Sequence, residues 1–193
     1  MRHTSYFRFA LTARLLLFVA ADAAIVAQTD PPSKAKLPLR AAVVLTPEFC
    51  ATRMTGASKT TTKGGFEIGK AACVELEPVL KEVFASLTAV PEMPKTGDAQ
   101  LILIPKFVDV GATTALTAFS NRELDVFLQW TAKDISGTTI WVETVQGSAK
   151  HHVGNMFTYK KNLTLIANDA VKDLASQSAS KMSSSAELRR LCH

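Results

Sequence analysis

Apolar and polar positions along this chain fall into segments of two different periods. In Arg122–Lys133, Leu124, Val126, Leu128 and Trp130 alternate with Asp125, Gln129, Thr131 and Lys133. A period of two is that of a strand with one buried face. Thr138–Gly147 continues with Ile140 and Val142 at the same spacing, and Asp134-Ile135-Ser136-Gly137 lies between the two segments. Asp134 suits the first position of a type I turn and Gly137 the left-handed position that follows, so the pair predicts a hairpin with a three-residue loop and a bulge. This loop sets Asp134 opposite Thr138, Ala132 opposite Ile140, Trp130 opposite Val142 and Leu128 opposite Thr144. One face then collects Leu124, Val126, Leu128, Trp130, Ile140 and Val142. The other is polar except for Phe127, Trp141 and Val145, with Phe127 opposite Val145.

The rest of the chain yields four more elements. Leu39–Leu45 reads as a first strand ended by Pro47. Ala72/Cys73, Leu76, Leu80, Val83/Phe84 and Leu87 recur at three and four, predicting a helix over roughly Ile68–Thr88. Pro78 either kinks that helix or opens its regular part; Cys73 and Leu76 in phase with Leu80 favour the kinked form. Ala99–Pro105 is almost continuously apolar, as in a strand buried on both faces. Phe107, Val108 and Val110 carry it past Pro105, which implies a bulge or an edge there. Residues 51–65 and 111–121 read as loops. Asn162 suits the N-cap of a second helix with Leu163, Ile166, Ala167, Ala170, Val171 and Leu174 on its apolar face. Six serines between Ser176 and Ser185 dilute that face and predict a weakly packed end. The order β-α-β-β-β-α indicates an α+β domain over residues 39–193, a four-stranded, mostly antiparallel sheet with two helices on one face.

The N-terminus adds an address. Arg2, His3, Arg8 and Arg14 precede the apolar run Leu15–Ala21, and Ala21-Asp22-Ala23 fits a small-x-small cleavage site, with Ala27 as a second option. Residues 1–23 therefore read as a secretory signal peptide. The run falls short of the roughly 20 apolar residues of a membrane span. Residues 24–38, with Pro31 and Pro32, form a polar flexible leader. No cysteine stands directly after the apolar run, so a lipidation site is not expected there.

Net charge is +5 over 193 residues. No long Lys/Arg run interleaves with aromatics, which argues against a nucleic-acid partner. Export changes the meaning of the cysteines. Three thiols in an oxidising compartment allow one intramolecular bridge. A strand–loop–helix return brings Cys50 towards Cys73, the preferred pair; the alternative is buried, unpaired cysteine. Cys192 would pair between molecules or stay free.

Catalytic constellations are missing from the sequence pattern. His151 and His152 are adjacent on an extended segment and point to opposite faces, an awkward pair for one metal. Glu75 and Glu77 diverge on a helix, and Glu123, Asp125 and Glu143 are not selected as an acid–base pair by any spacing. There is no P-loop, G-x-S-x-G or G-x-G-x-x-G. No catalytic, cofactor or metal residues are assigned, and the chain is expected not to be an enzyme. Phe127, Trp141 and Val145, on the face turned from the helices, are the candidate partner surface, because exposed apolar patches often mark partners.

Ile68-Gly69-Lys70 with Leu80 and Phe84, then Asp98–Pro105, the Leu124–Trp130 strand, Asp134-x-x-Gly137 with Ile140-Trp141, and an alanine-containing terminal helix together resemble a broad group of small bacterial envelope proteins. These are periplasmic or outer-membrane-associated lipoproteins, transport-auxiliary and lipopolysaccharide-assembly components among them. The resemblance spans residues 40 to about 188 and implies an exported, non-enzymatic interaction, assembly or transport-auxiliary module, periplasmic or outer-membrane-associated. Its expected partner is another envelope protein or an outer-membrane complex. The alternative is a periplasmic carrier of a small ligand or a lipid.

Overall fold

A computed structural model describes residues 35–53, 67–95, 99–113, 121–152 and 159–192. The expected signal peptide, both candidate cleavage sites and most of the expected leader lie outside the described residues. The chain forms β1 (Leu37–Val44), α1 (Pro47–Cys50), α2 (Ile68–Lys81), β2 (Phe84–Val90), β3 (Leu101–Thr113), β4 (Asn121–Asp134), β5 (Thr139–His152), α3 (Tyr159–Ser184) and α4 (Ala186–Arg190). The strands make one sheet in the order β2-β1-β3-β4-β5. β1 is parallel to both β2 and β3, whereas β3, β4 and β5 run antiparallel.

The α+β class expected from the sequence agrees with this architecture, but the sheet has five strands rather than four, and one half of it is parallel. The additional strand is Phe84–Val90, which the sequence reading placed in the first helix. Phe84 and Leu87 stand three apart and mimic helical spacing over so short a window. The helix ends at Lys81, three residues beyond Pro78, and the Phe-, Leu-, Thr- and Val-containing segment that follows favours a pleated surface. Pro105 and a bulge after it both occur in β3. β1 pairs with β3 only at Leu101–Leu103, so Pro105 needs no second ladder partner. The register then slips between Phe107 and Asp109.

The helices cover one face. Leu39, Ala41 and Val43 of β1, Leu101 and Leu103 of β3, and Leu124, Val126, Leu128, Trp130 and Ala132 of β4 are buried with Ile68, Ala72, Leu76 and Leu80 of α2 and with α3. α3 contributes Ile166, Ala167, Ala170, Val171, Leu174 and Ala175. It starts at Tyr159, so Asn162 lies inside the helix and is not its N-cap. The serine-rich end, expected to pack weakly, carries buried Met182 and, in α4, buried Leu188. Ser178 explains part of this. Its hydroxyl donates to the Leu174 carbonyl (2.7 Å) and accepts from the Trp130 indole N–H (2.9 Å), both residues being fully buried. Removing that acceptor leaves a buried donor unmet, which costs about 1–3 kcal/mol. Ser178→Ala should lose that much stability in urea melts, and adding Trp130→Phe should recover part of the effect as a coupling of about 1 kcal/mol. Strictly additive losses would contradict the pairing.

The hairpin turn forms as its residues dictate. Asp134 and Thr138 share a backbone bond (3.0 Å), Gly137 N–H donates to the Asp134 carbonyl (3.0 Å), and Gly137 takes a φ of 85°. Asp134 Oδ1 accepts from the Ser136 hydroxyl (2.6 Å), the Ser136 N–H (2.8 Å) and the Thr138 N–H (2.9 Å). The Ser136 hydroxyl first, then the backbone N–H groups of the turn, hold this carboxyl below its ordinary value. A depressed folded pKa means that the stabilisation is complete above about pH 3.9, the unfolded value, and is lost as pH falls through the lower folded one. An NMR titration of the Asp134 carboxyl should therefore show a midpoint below that of a model aspartate; an ordinary midpoint would refute the turn's bonding.

Register is where the hairpin departs from expectation. Lys133 faces Thr139 as the loop requires, but Ala132 faces Trp141, Trp130 faces Glu143 and Leu128 faces Val145. The extra residue, Ile140, is a bulge one step from the turn. Because the side-chain period is two, a slip of one exchanges the faces of the whole strand.

Candidate functional site

The bulge decides the fate of the expected partner surface. Trp141 and Val145 turn onto the helix side and are buried, at 8% and 3% exposure, while Val142, expected in the core, is half exposed. Phe127 stays on the opposite face, half-buried, and stands opposite Gln146. The three residues therefore do not form one exposed patch. The side away from the helices instead presents Gln129, Thr131 and Lys133 of β4 beside Val142, Thr144, Gln146 and Ser148 of β5. The same alternation places Ala42 and Val44 of β1 and Ile102 of β3 on this side, and these are buried.

Two of the polar groups picked out in the sequence, His151 and Glu143, lie on the seam between β5 and α3. His151 Nε2 and Asp169 Oδ2 are 2.7 Å apart. The Ser148 backbone N–H donates to Asp173 Oδ2 (2.9 Å), and Lys181 donates to Glu143 (3.0 Å). Asp169, Asp173 and Lys181 recur at multiples of four on one flank of α3, so the helix runs antiparallel to β5 and closes part of its free edge. On the other face, the Ser148 hydroxyl donates to Asp125 Oδ1 (2.5 Å), which also accepts from Gln146 (3.1 Å).

These contacts form pairs, not a catalytic relay. The Ser148 hydroxyl goes to Asp125, whereas the His151 ring goes to Asp169 on the helix side, so nucleophile and base are not joined. Glu123 pairs with Lys150 at 3.9 Å, and Glu77 with Lys81 at 2.7 Å on α2. Among the described residues, no group of three His, Cys, Asp or Glu side chains could hold a metal ion. No described helix is long and apolar enough to cross a membrane.

Cys50 and Cys73 are joined in a disulfide, with Cα atoms 5.7 Å apart. It ties α1 to α2 where the two already meet closely. The Gly69 N–H donates to the Thr52 carbonyl (3.1 Å), and a Cβ on Gly69 would stand 2.2 Å from the Phe49 carbonyl oxygen. Phe49 stacks on Phe107 of β3 with ring centroids 4.9 Å apart. Cys192 is a free, half-buried thiol.

No protein-family model matches the sequence, and a comparison with curated proteins finds no match. Solved structures do match. A minor lipoprotein from Acinetobacter baumannii superposes with a TM-score of 0.51 at 11% identity, over 77% of this chain and 93% of that one. A Xanthomonas campestris protein of the DUF330 type gives 0.53 at 7% identity, over 77% and 86%. The likeness is one of fold. It joins this mixed five-stranded sheet to structures of Gram-negative bacterial proteins, one of them named as a lipoprotein. The β5–α3 seam has no counterpart among the features expected from the sequence. Its signal was the four-residue recurrence of Asp169, Asp173, Gln177 and Lys181, which the apolar face of the same helix overshadowed.

Proposed function

We propose that this chain is an exported, non-enzymatic protein of the bacterial envelope, periplasmic or outer-membrane-associated, which acts as an interaction or transport-auxiliary module. The observation that carries the reading is the fold shared with the Acinetobacter minor lipoprotein over nearly all of that protein's length. The N-terminal basic and apolar pattern supports the same address. Its partner is another envelope protein, and the side of β4 and β5 turned from the helices, between Phe127 and Thr144, is the surface proposed for it. Carriage of a small ligand between sheet and helices receives less support, since Leu128, Trp130 and Leu174 fill that layer and are fully buried.

Two measurements test the proposal. Full-length chain expressed in a Gram-negative host should fractionate with the envelope, with its N-terminus processed near Ala23 or Ala27; an unprocessed cytoplasmic product would overturn the address. A photo-crosslinker at Thr144 should trap one envelope protein repeatedly, whereas one at exposed Val74 of α2 should not. Equal trapping from both positions would remove this surface from the proposal.

A further inference from the structure

The two edges of the sheet are finished differently. At β5, α3 lies along the edge, and Asp173 accepts from the Ser148 backbone N–H at 2.9 Å. At the opposite edge β2 pairs with β1 alone, and among the described residues no strand lies on its outer side. The direction of its free peptide groups follows from the ladder. The Val90 carbonyl accepts from the Leu45 N–H at the end of β1 (2.8 Å). From Ser86 to Val90 the register against Arg40 to Val44 is unbroken. Successive residues of a strand turn their peptide groups to opposite sides. Ser86, Thr88 and Val90 therefore bond β1, while Leu87 and Ala89 direct N–H and C=O outward.

An unpaired row of this kind templates a further strand, and sheets ordinarily blunt it with charge, proline, a bulge or a covering element. β2, Phe-Ala-Ser-Leu-Thr-Ala-Val, contains no Lys, Arg, Asp, Glu or Pro. Each of the other four strands carries charge. The register shift in the β1–β2 ladder falls before Ser86, so the outward row at Leu87 and Ala89 has no bulge. Ala85, Ser86 and Thr88 are exposed.

The composition also selects the occupant. Strand addition takes its affinity from backbone bonds and its specificity from the side chains beside the edge. Those beside β2 are small and uncharged: Ala85, Ser86, Thr88 and Ala89. They favour an incoming strand that is equally slim and uncharged, and β2 itself meets that requirement. Antiparallel apposition centred on Thr88 sets Leu87 against the partner's Ala89 and Ala89 against the partner's Leu87. Each pair exchanges both of its N–H···O=C bonds. Thr88 then meets the partner's Thr88 in the non-hydrogen-bonded position, where two threonine hydroxyls can bond one another. No like charges face each other within the strand. The same patch serves both molecules, as a twofold contact requires.

We infer that β2 is a dimerisation edge, which pairs antiparallel with β2 of a second copy through Leu87 and Ala89 and joins the two five-stranded sheets into one. The contact lies across the sheet from the β4–β5 surface and does not depend on the envelope reading.

The test is sedimentation velocity of the full-length chain carrying Cys192→Ser, so that no bridge between Cys192 thiols adds to the mass. The protein should show a concentration-dependent monomer–dimer equilibrium. Ala89→Pro removes an outward donor at an edge position, where proline leaves the β1 ladder intact. With half of the interchain bonds lost, the dissociation constant should rise about 30-fold. Thr88→Lys and Thr88→Glu should each weaken the dimer, and a mixture of the two should form a heterodimer about tenfold tighter than either homodimer. Association through the apolar N-terminal segment would respond to none of these changes, so the pattern reports the edge. Circular dichroism melts of the dilute variants should match dilute wild type, because Thr88 is exposed and the β1 ladder does not use the Ala89 N–H. If Ala89→Pro fails to fold, the Thr88 variants carry the test alone. A monomer at every concentration, or a dimer that Thr88→Lys and Thr88→Glu leave unchanged, would overturn the inference. So would a Lys–Glu mixture that associates no more tightly than its separate components.

Discussion

Gly147→Ala should destabilise this domain by about 1–3 kcal/mol, the range for overpacking a filled interior, or about 2–4 °C in Tm for each kcal/mol at this size. Generic strand preference gives the opposite sign, because glycine inside a strand is less favourable than alanine by about 0.5–1 kcal/mol. The contact decides. A Cβ on Gly147 would stand 2.3 Å from the Ala170 carbonyl oxygen and 2.5 Å from both the backbone nitrogen and the Cβ of Leu174. Backbone atoms cannot rotate away, so α3 would have to lift from β5 and take Ile166, Ala170 and Leu174 with it. Hydrogen exchange should therefore quicken along α3 in Gly147→Ala. Gly137→Ala is the internal control. It meets open space but holds a φ of +85°, so it should cost about 1–2 kcal/mol through backbone strain and leave exchange in α3 unchanged. A Gly147→Ala variant as stable as wild type would mean that β5 and α3 are not in direct backbone contact.

How much of this was legible in the sequence depends on which signal each segment carried. The turn at Asp134–Thr138 was readable because its chemistry is local: one carboxylate bonding the backbone ahead of it and one glycine at positive φ. The face assignment of β5 was not, because it was carried outward from the turn and a single bulge residue, Ile140, intervened. The strand held its own correction. From Trp141 onward the odd positions include Val145, Gly147 and Ala149, while Thr144, Gln146, Ser148 and Lys150 occupy the even ones. That alternation, taken independently of the loop, puts Trp141 and Val145 inside. The candidate partner surface was lost for this reason, and a mixed surface of Phe127, Val142 and neighbouring polar groups took its place.

Two other misses have the same character. Phe84 and Leu87 satisfied a helix template that the chain had already left at Lys81, and nothing local identifies β1 as the parallel partner that makes Phe84–Val90 a strand. Ser178 was counted as dilution of an apolar face. Its burial follows from Trp130, 48 residues away, whose indole needs an acceptor in the core. Long-range pairing and polar satisfaction are invisible to a window of neighbours, whereas turns and strand alternation are not.

Removing the Cys50–Cys73 bridge should cost about 3 kcal/mol, the loop-closure entropy for a sequence separation of 23 residues. The double variant Cys50→Ser/Cys73→Ser is the proper test, since a single change would free a thiol to pair with Cys192. The loss should be local in its structural effect. α1 is only four residues long, with Thr46 Oγ1 accepting from the Phe49 N–H (3.1 Å) as its cap. Without the bridge it is held by that cap, by the Phe49–Phe107 stack and by the Gly69–Thr52 bond. The Trp130–Ser178 bond and the β5–α3 seam involve none of these groups. Denaturant melts should thus show lowered stability, while exchange protection falls around Phe49 and Thr52 and persists in β4 and α3. Cys192→Ser, which removes only a thiol bonded weakly to the Leu188 carbonyl at 3.7 Å, should leave both readouts close to wild type. If reduction of the wild-type protein under native conditions shifts neither its melt nor exchange at α1, the bridge contributes nothing that close packing at Gly69 does not already supply. That outcome would move the stability of this corner from the disulfide to the glycine, and Gly69→Ala would then have the larger effect of the two.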